Sequence, residues 1–184
     1  MDRIPFAFRE ALCAILFQDT LENLSELSGS YGKLAQNTFY NLIEYVKGAG
    51  EPGYLQYLCS GREVHAPEEI EAIPKKFVRH ATIHFDDREE ENVCQEIVRR
   101  FPYADFQFVL LSSSINEAWV NFACSLKRLD TVAIREKLDD NSIRLFQKVV
   151  DSRKLYWLPL YEEACEGDML ELLKNLLCQE QFMI

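Results

Sequence analysis

The chain is short of positive charge. Only 20 lysines and arginines stand against 30 aspartates and glutamates, a net charge of −10. Binding to a phosphate backbone needs clustered cations, so this balance argues against a nucleic-acid partner and disfavours an anionic membrane surface. No apolar run approaches the ~20 residues of a membrane-spanning helix. The start, Met1-Asp2-Arg3-Ile4-Pro5-Phe6, has an early acid and no basic stretch before a long apolar segment, so it does not read as a secretory signal. The six cysteines lack any Cys-x-x-Cys pair or regular framework. Cys13, Cys94 and Cys124 fall among apolar helical positions, where a thiol acts as a small hydrophobe. They read as reduced and intracellular, and zinc-ligand spacing is missing.

Enzyme signatures are missing too: there is no phosphate loop, Gly-x-Gly-x-x-Gly, His-Glu-x-x-His or nucleophile elbow. His80 and His84 are four apart, but on a strand-like segment that spacing builds no metal site by itself. Cys94 and His84 would make a thiol–imidazole pair only with a third, orienting group that nothing supplies. The acids of Asp86-Asp87 and Glu89-Glu90-Glu91 read as a helix N-terminal cluster favoured by the dipole. No catalytic residue, metal or cofactor is predicted.

What is present is an ordinary globular composition, 48% hydrophobic and 27% charged over 184 residues. From Ala81 to Ile184 a strand-then-helix pattern recurs. Apolar strand-like runs centre on Ile83, Phe108, Val132, Leu158 and Phe182. Between them, Cys94, Trp119, Ile143 and Met169 occupy one equivalent position, Ile97, Phe122, Phe146 and Leu172 the next turn, and Phe101, Leu126, Val150 and Leu176 the turn after. The offsets are 25, 24 and 26 in helices and strands alike. A fixed period in this range predicts stacked strand–helix units with a parallel strand layer, a short solenoid.

Residues 1–47 predict three helices: one after Pro5 with Phe8, Leu12, Ile15 and Leu16 on one face, one capped by Asp19 or Thr20 and carrying Leu21, Leu24 and Leu27, and one from the Ser28-Gly29-Ser30 break through Leu34, Thr38, Leu42 and Val46 to Gly48. The order Ile4-Pro5, Leu12, Ile15, Leu16, Leu24, Leu27, Tyr31, Leu34 resembles an F-box, with Ile4 for the usual Leu, Tyr31 for the usual Trp, and Phe6-Ala7-Phe8 where an acid commonly follows the proline. The resemblance implies apolar docking on the adaptor subunit of a cullin-type ubiquitin ligase through Ile4, Pro5, Leu12, Leu16 and Leu24, each of which could equally be internal core of the three helices.

Gly48-Ala49-Gly50-Glu51-Pro52-Gly53 reads as a flexible domain boundary opening a connector, 48–80. Within it, Tyr54–Leu58 predicts a short strand or helical turn, Pro67-Glu68-Glu69 a helix start, Pro74 its end, and Lys75–His80 a solvated cationic surface. Ile4–Phe8, Ser28–Leu34 and Glu69–Phe77 together are similar to a large nematode family of uncharacterised F-box-like proteins, a likeness that brings no activity with it.

In the repeats, Leu129, Val132 and Ile134, and Leu155, Leu158 and Leu160, resemble the leucine-rich-repeat pattern L-x-x-L-x-L, though the later Asn or Cys is absent. Ser114 with Glu117, Asp140 or Asn141, and Gly167-Asp168 are expected helix caps. If the leucine-like positions point inward, Thr82, His84, Gln107, Val109, Ala133, Arg135, Trp157, Pro159 and Tyr161 line an open face. Arg135, Trp157 and Tyr161 are the expected partner contacts, since Arg, Trp and Tyr dominate hot spots. The alternative for Trp157 and Tyr161 is core. The chain stops at Phe182-Met183-Ile184, at the expected start of a fifth strand, which predicts a truncated relative with an open edge.

The combined expectation is an α+β to α/β chain: an F-box-like helical unit, 1–47, the connector, and four leucine-rich-like units over 81–184. Its function would be a non-enzymatic substrate-recognition adaptor of a cullin-type ligase, cytoplasmic or also nuclear, with an unknown protein substrate. The alternatives are a stand-alone repeat protein without a ligase and, more distantly, a small thiol enzyme.

Overall fold

The computed structural model describes residues 4–86 and 91–179. They form a mixed α and β fold with eight α-helices, and six strands ordered β3-β2-β1-β4-β5-β6 in one sheet. By internal contacts the chain divides into two compact units, Met1–Val46 with Tyr54–Arg79, and Lys47–Gly53 with His80–Ile184. No helix among the described residues is long and apolar enough to cross a membrane.

In the first unit, α1 (Phe6–Cys13) starts behind Pro5, whose fixed φ of −54° and carbonyl, accepting from the Phe8 and Arg9 amides, open the helix. Ile15 and Leu16 lie beyond its end rather than on its face. Helix α2 (Gln18–Ser25) is preceded by Phe17, not by a capping Asp19 or Thr20, and no side chain caps it. Helices α1 and α2 both pack on α3 (Ser30–Tyr40) around Cys13, Leu21, Ala35, Phe39 and Leu42. Gly32 permits this approach: a Cβ there would stand 1.7 Å from the Leu27 carbonyl oxygen.

The third helix is shorter than its apolar spacing predicts. It ends at Tyr40, and Asn41 closes it by donating from Nδ2 to the Asn37 carbonyl at 2.8 Å. Ile43–Lys47 is strand β1, because Ile43, Tyr45 and Val46 are of the β-branched and aromatic types that suit a pleated surface, with Ile43 and Tyr45 buried two apart. The glycine-rich segment that reads as a boundary joins β1 to β2 (Tyr54–Tyr57), which pair antiparallel with Ile43 opposite Tyr57 and Val46 opposite Tyr54. Strand β3 (Glu63–Val64) extends the pairing on β2. The predicted helix start at Pro67 is α4 (Pro67–Ala72), with Pro67 at its first position.

The cationic stretch after Pro74 is more than solvated surface. Lys76 Nζ meets Glu10 Oε1 at 2.6 Å, and Arg79 donates to the Cys13 carbonyl at 3.0 Å, just where the dipole of α1 is negative.

In the second unit, β4 (Val78–Phe85), β5 (Asp105–Leu110) and β6 (Leu129–Ile134) run parallel. Ile83 stands beside Phe108, and Phe108 beside Val132, offsets of 25 and 24. The next segment keeps step at 26, with Thr131 beside Trp157 and Ile134 beside Leu160. It forms isolated bridges instead of the expected fourth strand, for a covalent reason. Trp157 and Tyr161 donate to the Asp130 and Ile134 carbonyls at 3.2 Å each, but Pro159, midway between them, has no N–H to give. The expected fifth strand at Phe182 lies outside the described residues, as do most of the acids between Asp86 and Glu91.

Four helices alternate with these segments: α5 (Glu91–Arg100), α6 (Glu117–Ser125), α7 (Asp140–Asp151) and α8 (Asp168–Leu177). Each packs on the next in chain order. Eleven of the twelve periodic apolar positions are buried, and only Ile143 is half-buried. Trp119 anchors the aromatic centre, its ring 5.7 Å from Phe108 and 5.8 Å from Phe85. Burying each such side chain stabilises the fold by roughly 1.5–3 kcal/mol before entropy is counted.

Two caps differ from expectation. Asn116, not Ser114, caps α6, accepting from the Trp119 amide at 2.7 Å, and Asp139, not Asp140 or Asn141, caps α7, accepting from the Ser142 amide at 2.6 Å. Gly167 precedes α8 as expected, with φ of 58°.

Candidate functional site

Two surfaces, one in each unit, hold the residues that the sequence singles out. The first is built on α1 and its flanks. Ile4 and Leu12 line a groove of about 260 Å³ with Phe8, Leu27 and Tyr31, and Pro5 is exposed at the start of α1. Leu16 and Leu24 are placed differently: both pack, half-buried, against the Cys13–Phe39 cluster, so their contacts are largely internal. Tyr31 does the same.

Around α1, the docking residues expected from the sequence leave out the most exposed apolar side chains. Phe6 is 59% exposed, Phe8 58%, Ile15 69% and Phe17 84%. A signal was available. Phe6 and Phe8 are two apart, and residues two apart on a helix do not share a face, so a helix bearing both cannot bury both on one neighbour. Cys13, by contrast, is buried, and burial pushes its thiol pKa up while the Arg79 charge works against that rise.

The second surface is the strand face turned away from the buried row of Ile83, Phe108, Val132 and Ile134. Thr82, Gln107, Thr131 and Trp157 stand in one row across it, and His84, Val109 and Ala133 in the next. Thr82 Oγ1 lies 3.4 Å from Gln107 Oε1, Gln107 Nε2 3.4 Å from Asp130 Oδ2, and Thr131 Oγ1 donates to the same carboxylate oxygen at 2.8 Å. Asp130 reaches this face because the pairing slips between Phe106 and Gln107, adding one residue to β6. Beside this polar row the surface turns aromatic. Trp157 is 68% exposed, Tyr161 44%, and the Arg135 guanidinium lies over the Tyr161 ring. The core alternative for Trp157 and Tyr161 is thereby corrected: the alternation of this segment sets both, exposed, opposite the half-buried Leu158 and Leu160.

His80 and His84 share this face with Thr82, while Cys94 is fully buried on α5, on the side where Phe85 packs against Trp119. The strand layer separates that thiol from that imidazole. His65 stacks on Tyr54 at 4.9 Å and meets Glu63 at 2.9 Å. Among the described residues, no three His, Cys, Asp or Glu side chains gather as a metal site.

The chemistry of both surfaces is that of contact: apolar and aromatic area on one, a polar row bordered by Trp, Tyr and Arg on the other. Compared with protein-family models, with curated proteins and with solved structures, the chain matches none of them.

Proposed function

We propose that this chain is a non-enzymatic adaptor that joins two proteins. In this reading the N-terminal helices dock on the adaptor subunit of a cullin-type ubiquitin ligase, as the F-box resemblance implies, and the strand face holds a protein to be modified. The carrying observation is the uncovered apolar surface around α1, where Ile4, Phe6, Phe8, Ile15 and Phe17 are all more than two-fifths exposed. Large apolar side chains grouped in water mark a partner surface rather than a packing preference. The repeat half of the reading, a short leucine-rich-like solenoid, is supported by parallel strands in constant step and by helices that pack in chain order. The reading carries a cytoplasmic or nuclear location with it.

The test is binding of the purified full-length chain to the purified adaptor subunit. The wild-type chain is expected to bind, and Phe8→Asp/Phe17→Asp, which changes exposed positions only, to lose binding with the helical signal intact. Absence of wild-type binding overturns the ligase reading. The second reading, a repeat protein that binds partners without a ligase, is favoured by Tyr31. It stands where the F-box pattern has Trp, and it packs on the helical core, a role that needs no ligase.

A further inference from the structure

A third surface lies apart from the strand face, where α5 and α6 end side by side. An open groove of about 610 Å³ runs between them. Its floor is apolar, backed by Val98, Phe106, Phe122 and Leu126. Its rim is cationic, with Arg99 from α5 and Lys127 and Arg128 from the loop after α6. In a chain of net charge −10, this is charge placed against the overall field. Arg128 is partly engaged: it donates to the Tyr103 carbonyl at 3.0 Å and stands 3.7 Å from Asp105. Arg99 and Lys127 are exposed, and among the described residues neither has an ion-pair or hydrogen-bond partner.

The C-terminal ends of α5 and α6 account for part of this arrangement, because helix ends attract cations. Each end carries only about half a negative charge. With Asp105 they offer about two against three cations, so a net positive rim remains over an apolar floor.

We propose that this groove binds a short acidic peptide segment of a partner protein, one that seats a bulky apolar side chain between carboxylates. Charge complementarity decides the class. A polyphosphate chain would gain nothing from the apolar floor. A peptide of this kind uses both parts, with its apolar side chain on Phe106 and Phe122 and its carboxylates on Arg99 and Lys127. Gln95 and Ser125, also on the groove wall, are placed for main-chain groups. The inference is independent of the adaptor reading, since it uses neither α1 nor the strand face.

The test is fluorescence anisotropy with the full-length chain and a labelled peptide, Phe-Leu flanked on each side by two glutamates. This peptide is expected to bind, more weakly as salt rises. The same peptide with glutamines for glutamates, or with Ser-Ser for Phe-Leu, is expected to bind at least about ten-fold more weakly, the equivalent of one lost charge-assisted or apolar contact. Arg99→Glu/Lys127→Glu is expected to cost about as much, whereas Lys137→Glu/Lys174→Glu, the same change in net charge placed elsewhere, leaves binding within about two-fold. The proposal is overturned by equal binding of the glutamine peptide, by undiminished binding to the Arg99/Lys127 variant, by equal loss in the control variant, or by no binding of the acidic peptide at low salt. Displacement of the peptide by equimolar decanoate would assign the groove to fatty acids and overturn it as well. Should the double reversal fail to fold, Arg99→Gln/Lys127→Gln takes its place, and unchanged binding there is equally fatal.

Discussion

The guanidinium carbon of Arg135 lies 5.0 Å from the centroid of the Tyr161 ring, tying the residue after β6 to the end of the neighbouring segment. Both side chains are exposed, so the attraction stays near the exposed-site value of about 0.5–1 kcal/mol. A double-mutant cycle with Arg135→Ala and Tyr161→Ala, followed by urea denaturation, is expected to return a coupling of that size. A coupling above about 2 kcal/mol would mean a desolvated pair and a strand face that is not open.

Ser142 is among the few buried polar residues, and its hydroxyl accepts from the Ile115 amide at 2.9 Å. Ser142→Ala leaves that donor buried and unpaired, so a loss of about 1–3 kcal/mol is expected. Ser152→Ala is the comparison. Its hydroxyl only donates to the Val149 carbonyl in the preceding turn, and the change is expected to stay within about 0.5 kcal/mol. Equal urea midpoints for the two variants would contradict the assigned role of Ser142.

Asp139 predicts a pH effect with a definite sign. Hydrogen bonds from Ser142 and Asn141 hold its carboxyl below the ordinary aspartate range. A depressed folded-state pKa means stability that is present above the unfolded value, about 4, and lost as pH falls through the folded one. Asp139→Asn keeps a capping oxygen but removes the titration. Its melting temperature is expected to fall less than that of the parent between about pH 4 and pH 2. Parallel acid profiles would show that the carboxylate contributes nothing through its charge.

Gly32→Ala tests the approach of α3 to the end of α2. Alanine would normally help a helix by about 1 kcal/mol. Here the added methyl meets the Leu27 carbonyl, a backbone atom of the turn between α2 and α3 that can move only if the turn shifts. Net destabilisation of about 1–3 kcal/mol is expected, measured by thermal unfolding. A stabilised variant would show that the turn before α3 yields freely.

The second unit was far more legible in the sequence than the first. Twelve apolar positions at offsets of 25, 24 and 26 predicted both the strand step and the buried helix stripe, because a period shared by strand and helix leaves few other ways to bury them. In the first unit two patterns competed. Leu42 and Val46 continue a helical spacing and Gly48 resembles a helix end, yet Ile43, Tyr45 and Lys47 also alternate. Asn41 decided the matter by closing α3, and the alternation then won. Caps were misplaced by one or two residues, since several Ser, Asp and Asn side chains stood near each helix start and only geometry selects among them. On the strand face, alternation alone placed Arg135, Trp157 and Tyr161 on the open side, and all three are exposed. Near α1, leucines drew attention away from the phenylalanines that lie in water.

The constant step of the parallel strands has a consequence for how such a chain can change length. Phe108 and Val132 occupy the same place in adjacent strands. A chain lacking residues 109–132 would pass from Phe108 directly to Ala133, which would stand where Val109 stood and face the same way. Removal of a single residue within β5 would instead turn every later side chain of that strand over, carrying Phe108 and Leu110 into water. Loss or gain of a whole strand–helix segment therefore preserves which face each strand residue takes, whereas the smallest slip reverses it.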